Sequence, residues 1–176
     1  PLSHVDVRIF DNNDQELAPG AVGEIVIRGP NVMKGYLNLP GETARAMRGG
    51  WYHTGDAGQM DDEGFLWISG RKKEMIISGG ENIYPVEVEN VLSLHPAVGE
   101  VAVIGIPHEK WGEAVHAVVV FADGASLSES ELISFCKERL AAYKCPRSLT
   151  IRSERLPISG ANKILKSKLL QEYLEG

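Results

Sequence analysis

A short charged run, Gly70-Arg71-Lys72-Lys73-Glu74, interrupts two otherwise apolar segments, and the residues on either side of it follow different periodicities. Before the run the pattern is that of strands. Val5, Val7 and Ile9 alternate with polar residues up to the turn-rich Asp11-Asn12-Asn13-Asp14, and residues 23–28 (GEIVIR) repeat the alternation through Ile25 and Ile27. Two more short strands are expected over residues 57–60 and 65–69, joined by the hairpin turn Asp61-Asp62-Glu63-Gly64, where Gly64 accepts positive φ at little cost. There is too little helix here to cover so many strands. Residues 1–70 therefore read as the β-rich tail of a larger domain.

After the run, helices and strands alternate. Pro85 suits the first turn of a helix whose Val88, Val91 and Leu92 share a face, and Pro96 follows its end. Residues 101–106 and 115–121 are rich in β-branched side chains and read as buried strands. Ser128 and Glu131 form a capping-box pattern before a second helix. In that helix Leu132, Cys136 and Leu140 recur every fourth residue, which makes Cys136 a core residue and not a nucleophile. A last helix from about Leu165 carries Leu165, Leu169 and Tyr173 on one stripe. The expected fold class is α+β. Residues 71–74 read as a link between the two parts, and residues 75–176 are expected to form a small C-terminal domain with a mixed sheet flanked by helices, large enough to fold alone.

Composition excludes several functions. A net charge of -6 opposes nonspecific nucleic-acid binding. No window approaches the ~18 consecutive apolar residues of a membrane span, and no signal peptide is visible. The chain begins at Pro1 instead of Met, as a fragment would. Cys136 and Cys145 have neither metal nor disulfide spacing, which points to a reducing, cytoplasmic setting. No metal-ligand cluster, phosphate loop of the GxxxxGK[ST] type or GxGxxG turn is present.

Four islands bear chemistry. Trp51-Tyr52-His53-Thr54-Gly55-Asp56 sets a carboxylate after a glycine, where Asp56 can accept two hydrogen bonds from a vicinal diol such as ribose. Arg71, Lys72 and Lys73 offer cations to an anionic ligand, or simply a solvated link. Ser78-Gly79-Gly80-Glu81-Asn82 is a glycine-bearing loop that allows close backbone approach. Ser159-Gly160-Ala161-Asn162-Lys163 is a loop ending in a lysine that could stabilise charge on a phosphate or carboxylate. Each island has an ordinary structural alternative: a turn Asp, a plain loop or a solvated lysine.

In this order, GEIVIRGPNVMKGYLN, GWYHTGDAG, GFLWISGRKKEMIISGGENIYPVEVE and LPISGANKILKSKL closely resemble the C-terminal motifs of the AMP-forming acyl-CoA synthetases, within the adenylate-forming superfamily. The resemblance covers essentially the whole chain. It implies condensation of a carboxylate, fatty or aryl, with ATP to an acyl adenylate, then capture by coenzyme A, with the small domain rotating between the two steps. It implies that Asp56 binds the ribose hydroxyls of ATP or AMP, that Arg71 assists at the nucleotide and that Lys73 is the hinge. Lys163 would bridge carboxylate and phosphate oxygens during adenylation. Ser78, Gly79, Gly80 and Glu81 would line the pantetheine tunnel, with Trp111 and Tyr143 also contacting coenzyme A. Lys144 shares the AAYKCPR segment with Tyr143, whereas Cys145 stands where several relatives have a basic residue.

Two departures matter. Asn162 precedes Lys163 where the commonest pattern has Gly, so an altered loop is expected. The family's N-terminal phosphate loop and acyl pocket are absent, so Mg2+ would be bound mainly by that absent portion, and the chain alone should be inactive. The implied partners are a small carboxylate, ATP, coenzyme A and the missing N-terminal domain. Acetylation of the lysine at position 163 would remove its charge and stop adenylation. Alternatives are a non-catalytic coenzyme A-binding or regulatory module, and an adenylation domain serving a carrier protein. The segment Ile76-Ile77-Ser78-Gly79-Gly80-Glu81-Asn82-Ile83-Tyr84-Pro85 favours a CoA ligase over the latter.

Overall fold

Strand alternation in the first half of the chain produces a four-stranded antiparallel sheet. The structure, a computed structural model, describes residues 3–175 of 176 and falls into two compact units, Pro1–Lys73 and Glu74–Gly176. In the first unit, β1 (Asp6–Phe10) and β2 (Gly23–Arg28) are followed by a short exposed helix α1 (Pro40–Ala46), then β3 (Tyr52–Met60) and β4 (Leu66–Arg71). Their order in the sheet is their order in the chain. Val7, Ile9 and Ile25 form a small core. On β4, by contrast, Trp67 and Ile68 are 60% and 70% exposed.

The hairpin turn forms where the sequence places it. Asp61 Oδ1 accepts from the amides of Glu63 and Phe65 at 3.0 and 2.8 Å, and Gly64 has φ +84°. The third strand starts earlier than expected, at Tyr52, so Asp56 lies within it and not ahead of it. Gly55 at φ +72° and an irregular register between Ala57 and Gly58 break the strand's alternation, so only its second half shows in the sequence. The helix α1 buries no residue and so has no apolar stripe to betray it.

The second unit is built on one long ladder. Its elements are β5 (Ile76–Ser78), β6 (Glu81–Ile83), α2 (Pro85–Ser93), β7 (Val98–His108), β8 (Gly112–Phe121), α3 (Glu129–Lys137), β9 (Ser148–Arg152) and α4 (Lys166–Glu175). The central strand β8 pairs antiparallel with β7 along its length, antiparallel with β5 at Ser78–Gly112, and parallel with β9. The sheet is mixed and flanked by helices, as expected of an α+β fold. Val101, Val103, Val115, Ala117 and Val119 meet Val88, Leu92, Leu132 and Cys136 from α2 and α3. Residues of opposite parity, including Ala102, Ile104, Ala114 and Val118, meet Leu156 and Leu169 on the α4 side. Full burial of each such Val or Leu is worth about 1.5–3 kcal/mol.

Local sequence accounts for the helix starts. Pro85 occupies the first turn of α2, and Ser128 with Glu131 completes a reciprocal capping box on α3. Burial raises the Cys136 thiol to about 11, consistent with a core residue. The residues read as a loop over 78–82 instead belong to the β5–β6 hairpin. Its two turn residues, Gly79 and Gly80, have φ +63° and +88°, so this tight turn itself demands glycine. On α4, Leu169 is buried but Tyr173 is 42% exposed.

His116 lies buried on β8 between two hydroxyls of β9, Ser148 Oγ at 2.8 Å and Thr150 Oγ1 at 3.0 Å. Burial lowers its pKa below 6.5, so the folded unit holds it neutral and binds fewer protons than the unfolded chain. Its contribution is complete above that ordinary value and is lost as pH falls through the folded pKa. Urea midpoints should therefore drop between pH 7.5 and 5.5 in the native chain, and this drop should shrink in His116→Gln.

Candidate functional sites

The strand pair β3–β4 places Asp56 opposite Arg71. Arg71 Nη1 stands 3.0 Å from Asp56 Oδ1 and donates to the carbonyl of Thr54 at 3.2 Å. The Thr54 hydroxyl donates to Ile25 O at 2.7 Å and accepts from the Asp56 amide at 3.0 Å. Asp56 is therefore held on a fixed backbone with its carboxylate 39% exposed, suited to accepting hydrogen bonds from a diol.

Behind this pair lies a charge cluster that the sequence did not announce. Glu24, only 6% exposed, faces the Lys72 ammonium at 2.9 Å, Arg48 at 3.3 Å and His53 Nδ1 at 3.3 Å. Its other oxygen accepts from the Gly55 amide at 3.3 Å. Burial alone would raise the Glu24 carboxyl, but Lys72 and His53 outweigh it and hold the group below its ordinary value. Arg48 also grips Asp14 through two nitrogens, at 2.8 Å each. Glu24 could have been noticed as a charged residue opening an apolar strand.

In the second unit, Lys163 sits on an exposed tight loop, and its ammonium has no ion-pair partner among the described residues. Ser159 organises the loop. Its amide donates to Lys163 O at 2.7 Å, and its hydroxyl accepts from the amides of Ala161 and Lys163 at 3.3 Å each. Asn162 has φ +58°, in the left-handed region that glycine occupies freely and Asn tolerates better than most residues. The exchange of Gly for Asn thus keeps a conformation both residues can adopt, and the expected alteration of the loop has a conformational answer.

Of the other expected contacts, the structure brings Trp111 to the glycine hairpin. The Gly79 amide donates to Trp111 O at 3.0 Å, and a Cβ at Gly79 would stand 3.2 Å from Trp111 Cδ1. His108 stacks on the Trp111 ring at 4.3 Å, and the Arg147 guanidinium lies 3.4 Å from its centroid. Arg147 was passed over in the sequence, although it stands two residues beyond Cys145. Ser78 is buried, whereas Gly80, Glu81 and Tyr143 are exposed. Lys144 is held by both oxygens of Glu87, at 2.7 and 2.8 Å. A cleft of about 450 Å³ between α4 and β8–β9, lined by His116, Arg152 and Tyr173 among others, contains none of the expected site residues. No group of three or more His, Cys, Asp or Glu placed to hold a metal ion occurs among the described residues. No described helix is long and apolar enough to cross a membrane.

Two family profiles match consecutive parts of the chain: that of the AMP-binding enzymes over residues 1–37 and that of the AMP-binding enzyme C-terminal domain over residues 87–163. The chain belongs to the adenylate-forming superfamily and corresponds to its C-terminal portion. Several of its relatives there are acyl-CoA synthetases, and an amide bond synthetase of Marinactinospora thermotolerans also superposes, with a TM-score of 0.89 at 39% identity over 98% of this chain and 35% of that one. It is 47% identical to a feruloyl-CoA synthase of an Amycolatopsis species over 98% of this chain and 35% of the relative. It is 48% identical to a long-chain-fatty-acid–CoA ligase of Bacillus subtilis over 99% of this chain and 31% of the relative. The o-succinylbenzoate CoA synthetase of Bacillus subtilis, solved with its acyl-adenylate intermediate, superposes with a TM-score of 0.90 at 44% identity, over 96% of this chain and 34% of that one. The chain thus spans about a third of the length of the relatives it matches.

The loop geometry at Asn162 gives a direct test. Asn162→Gly should leave amide exchange of residues 159–164 within about twofold of the native chain, whereas the β-branched Asn162→Val should speed it, since φ > 0 is costly for such a residue.

Proposed function

We propose that this chain is the C-terminal part of an ATP-dependent acyl-CoA ligase. In this reading the enzyme adenylates a carboxylate, releasing pyrophosphate, and then transfers the acyl group to the thiol of coenzyme A. The observation that carries the proposal is the division of labour about Lys73. An exposed, pre-ordered Asp56–Arg71 pair lies in one unit, and in the other lies Lys163, on a tight loop and without an ion-pair partner among the described residues. Asp56 takes the ribose hydroxyls, Arg71 the adjacent nucleotide oxygens, and Lys163 the carboxylate and α-phosphate oxygens between which charge develops. Residues 71–74 serve as the hinge about which the C-terminal unit changes its working face. Residues 1–70 belong to a larger N-terminal domain, whose remainder would cover the exposed Trp67 and Ile68. That remainder would also hold most of the contacts to Mg2+ and triphosphate.

The acceptor follows from the second unit. The half-buried Trp111, flanked by His108 and Arg147 and packed on the Gly79 turn, offers an aromatic and cationic platform. This suits a cofactor with both a phosphorylated nucleotide and a narrow pantetheine arm that passes Ser78, Gly79, Gly80 and Glu81. Tyr143 lies in a segment assigned to the same cofactor. Coenzyme A is therefore preferred over a carrier protein or a purely regulatory role. The acyl group is fatty or aryl. Relatives of both kinds match this chain about equally well, which supports a choice of acid made outside it. The free thiols Cys136 and Cys145 suit a reducing cytoplasm.

The decisive variant is Lys163→Ala in the enzyme containing this chain. Adenylation, measured by ATP–pyrophosphate exchange, should fall to background, while thioester formation from supplied acyl adenylate should persist. Equal loss of both steps would refute the assigned role. The chain by itself should give no exchange above background. Its titration with coenzyme A should register heat that Trp111→Ala abolishes, if the cofactor platform is complete within the second unit.

A further inference from the structure

On the reading of Lys73 as hinge and Lys163 as adenylating lysine, the residues flanking Lys73 acquire a purpose. Lys72 Nζ is bound to Glu24 at 2.9 Å within the first unit. Glu74 is bound to Lys166 Nζ at 2.9 Å within the second, and Lys166 also reaches Glu89 on α2 at 2.8 Å. Lys166 is 20% exposed and Glu89 17%, so water screens these contacts less than it would a surface pair. Lys73, between the two anchored neighbours, is exposed and makes no side-chain hydrogen bond or ion pair among the described residues.

Each anchor also leads to a segment that bears a candidate site residue. Glu24 holds Lys72 with one oxygen and the Gly55 amide, next to Asp56, with the other. Lys166 opens α4 and stands three residues beyond Lys163, in the chain that leaves its loop. The Ile158–Ile164 bridge and the Leu165 amide, which donates to Pro157 O at 2.8 Å, tie that exit to the loop's entry. We infer that Glu24 and Lys166 are positioning residues: they tie the Asp56 segment and the Lys163 loop to opposite sides of the hinge and confine backbone compliance to Lys73. Lys163 then arrives with its loop already set by Glu74, and not as a freely mobile side chain on a flexible strap.

Hydrogen–deuterium exchange on the chain tests this without any assay of activity. Glu74→Gln removes only the hinge-side partner. It should speed exchange at residues 74–76 and also, by about tenfold, at the remote residues 159–165, with β7 and β8 unchanged. Lys166→Met should do the same, and Lys166→Arg should restore native exchange. Acceleration confined to residues 74–76, no acceleration at all, or an equal rise throughout β7 and β8 would each overturn the inference. In the enzyme, Lys166→Met should lower adenylation about tenfold through misplacement of Lys163, with KM for ATP little changed and Lys166→Arg restoring the rate. A harmless Lys163→Ala would defeat the functional reading while leaving the exchange result to stand.

Discussion

The β7–β8 ladder is buried on both faces, and the rest of the second unit is arranged by that fact. Successive residues point to opposite sides, so a run such as Val101 to Ile104 needs two covers. The helices α2 and α3 supply one, and α4 with Leu156 supplies the other. Both come from segments that the sequence also uses for other purposes. The hairpin β5–β6, which precedes α2, is pulled to the Gly112 end of β8. The Lys163 loop, which precedes α4, is fixed at the other cover's edge. The places where chemistry can occur are therefore the ends of elements whose middles are committed to packing.

Charges do a different task from the core. In the first unit a nearly buried carboxylate, Glu24, gathers Lys72, Arg48 and His53 and still spares an oxygen for the Gly55 amide. Such a cluster adds little net stability compared with well-packed apolar groups, but its geometry is strict because an unmatched charge there is costly. Through the Gly55 amide and the Lys72 ammonium it touches the residues adjoining Asp56 and Arg71.

Much of the fold was legible because burial leaves a period. The valine-rich strands, the capping box at Ser128 and Glu131, the proline start of α2 and the turn closing on Gly64 all follow from local rules. Several features escaped in whole or in part for physical reasons, the tight β5–β6 hairpin and the first half of β3 among them. The helix α1 is exposed all round and has no stripe. The strand β9 is short, with its outward residues exposed. The strand β3 carries a left-handed Gly55 and an irregular register that break its alternation. The candidate site was legible as ordered motifs, Asp56, Arg71 and Lys163 above all. The contacts of Glu24, Arg147 and Lys166 were not, since each is made to a partner far away in sequence: Lys72, Trp111 and Glu74.

The strand β7 lies at the outer side of its sheet, where unpaired amides invite another chain to add on. Its Val103 amide donates to Glu89 Oε1 at 2.8 Å, and that carboxylate is itself neutralised by Lys166. An incoming strand would have to displace a largely buried ion pair to reach the amide. Glu89 thus acts as a guard against edge-to-edge aggregation. If the joint at Lys73 moves as proposed and so exposes surface repeatedly, the fold gains solubility from the same carboxylate that steadies the start of α4.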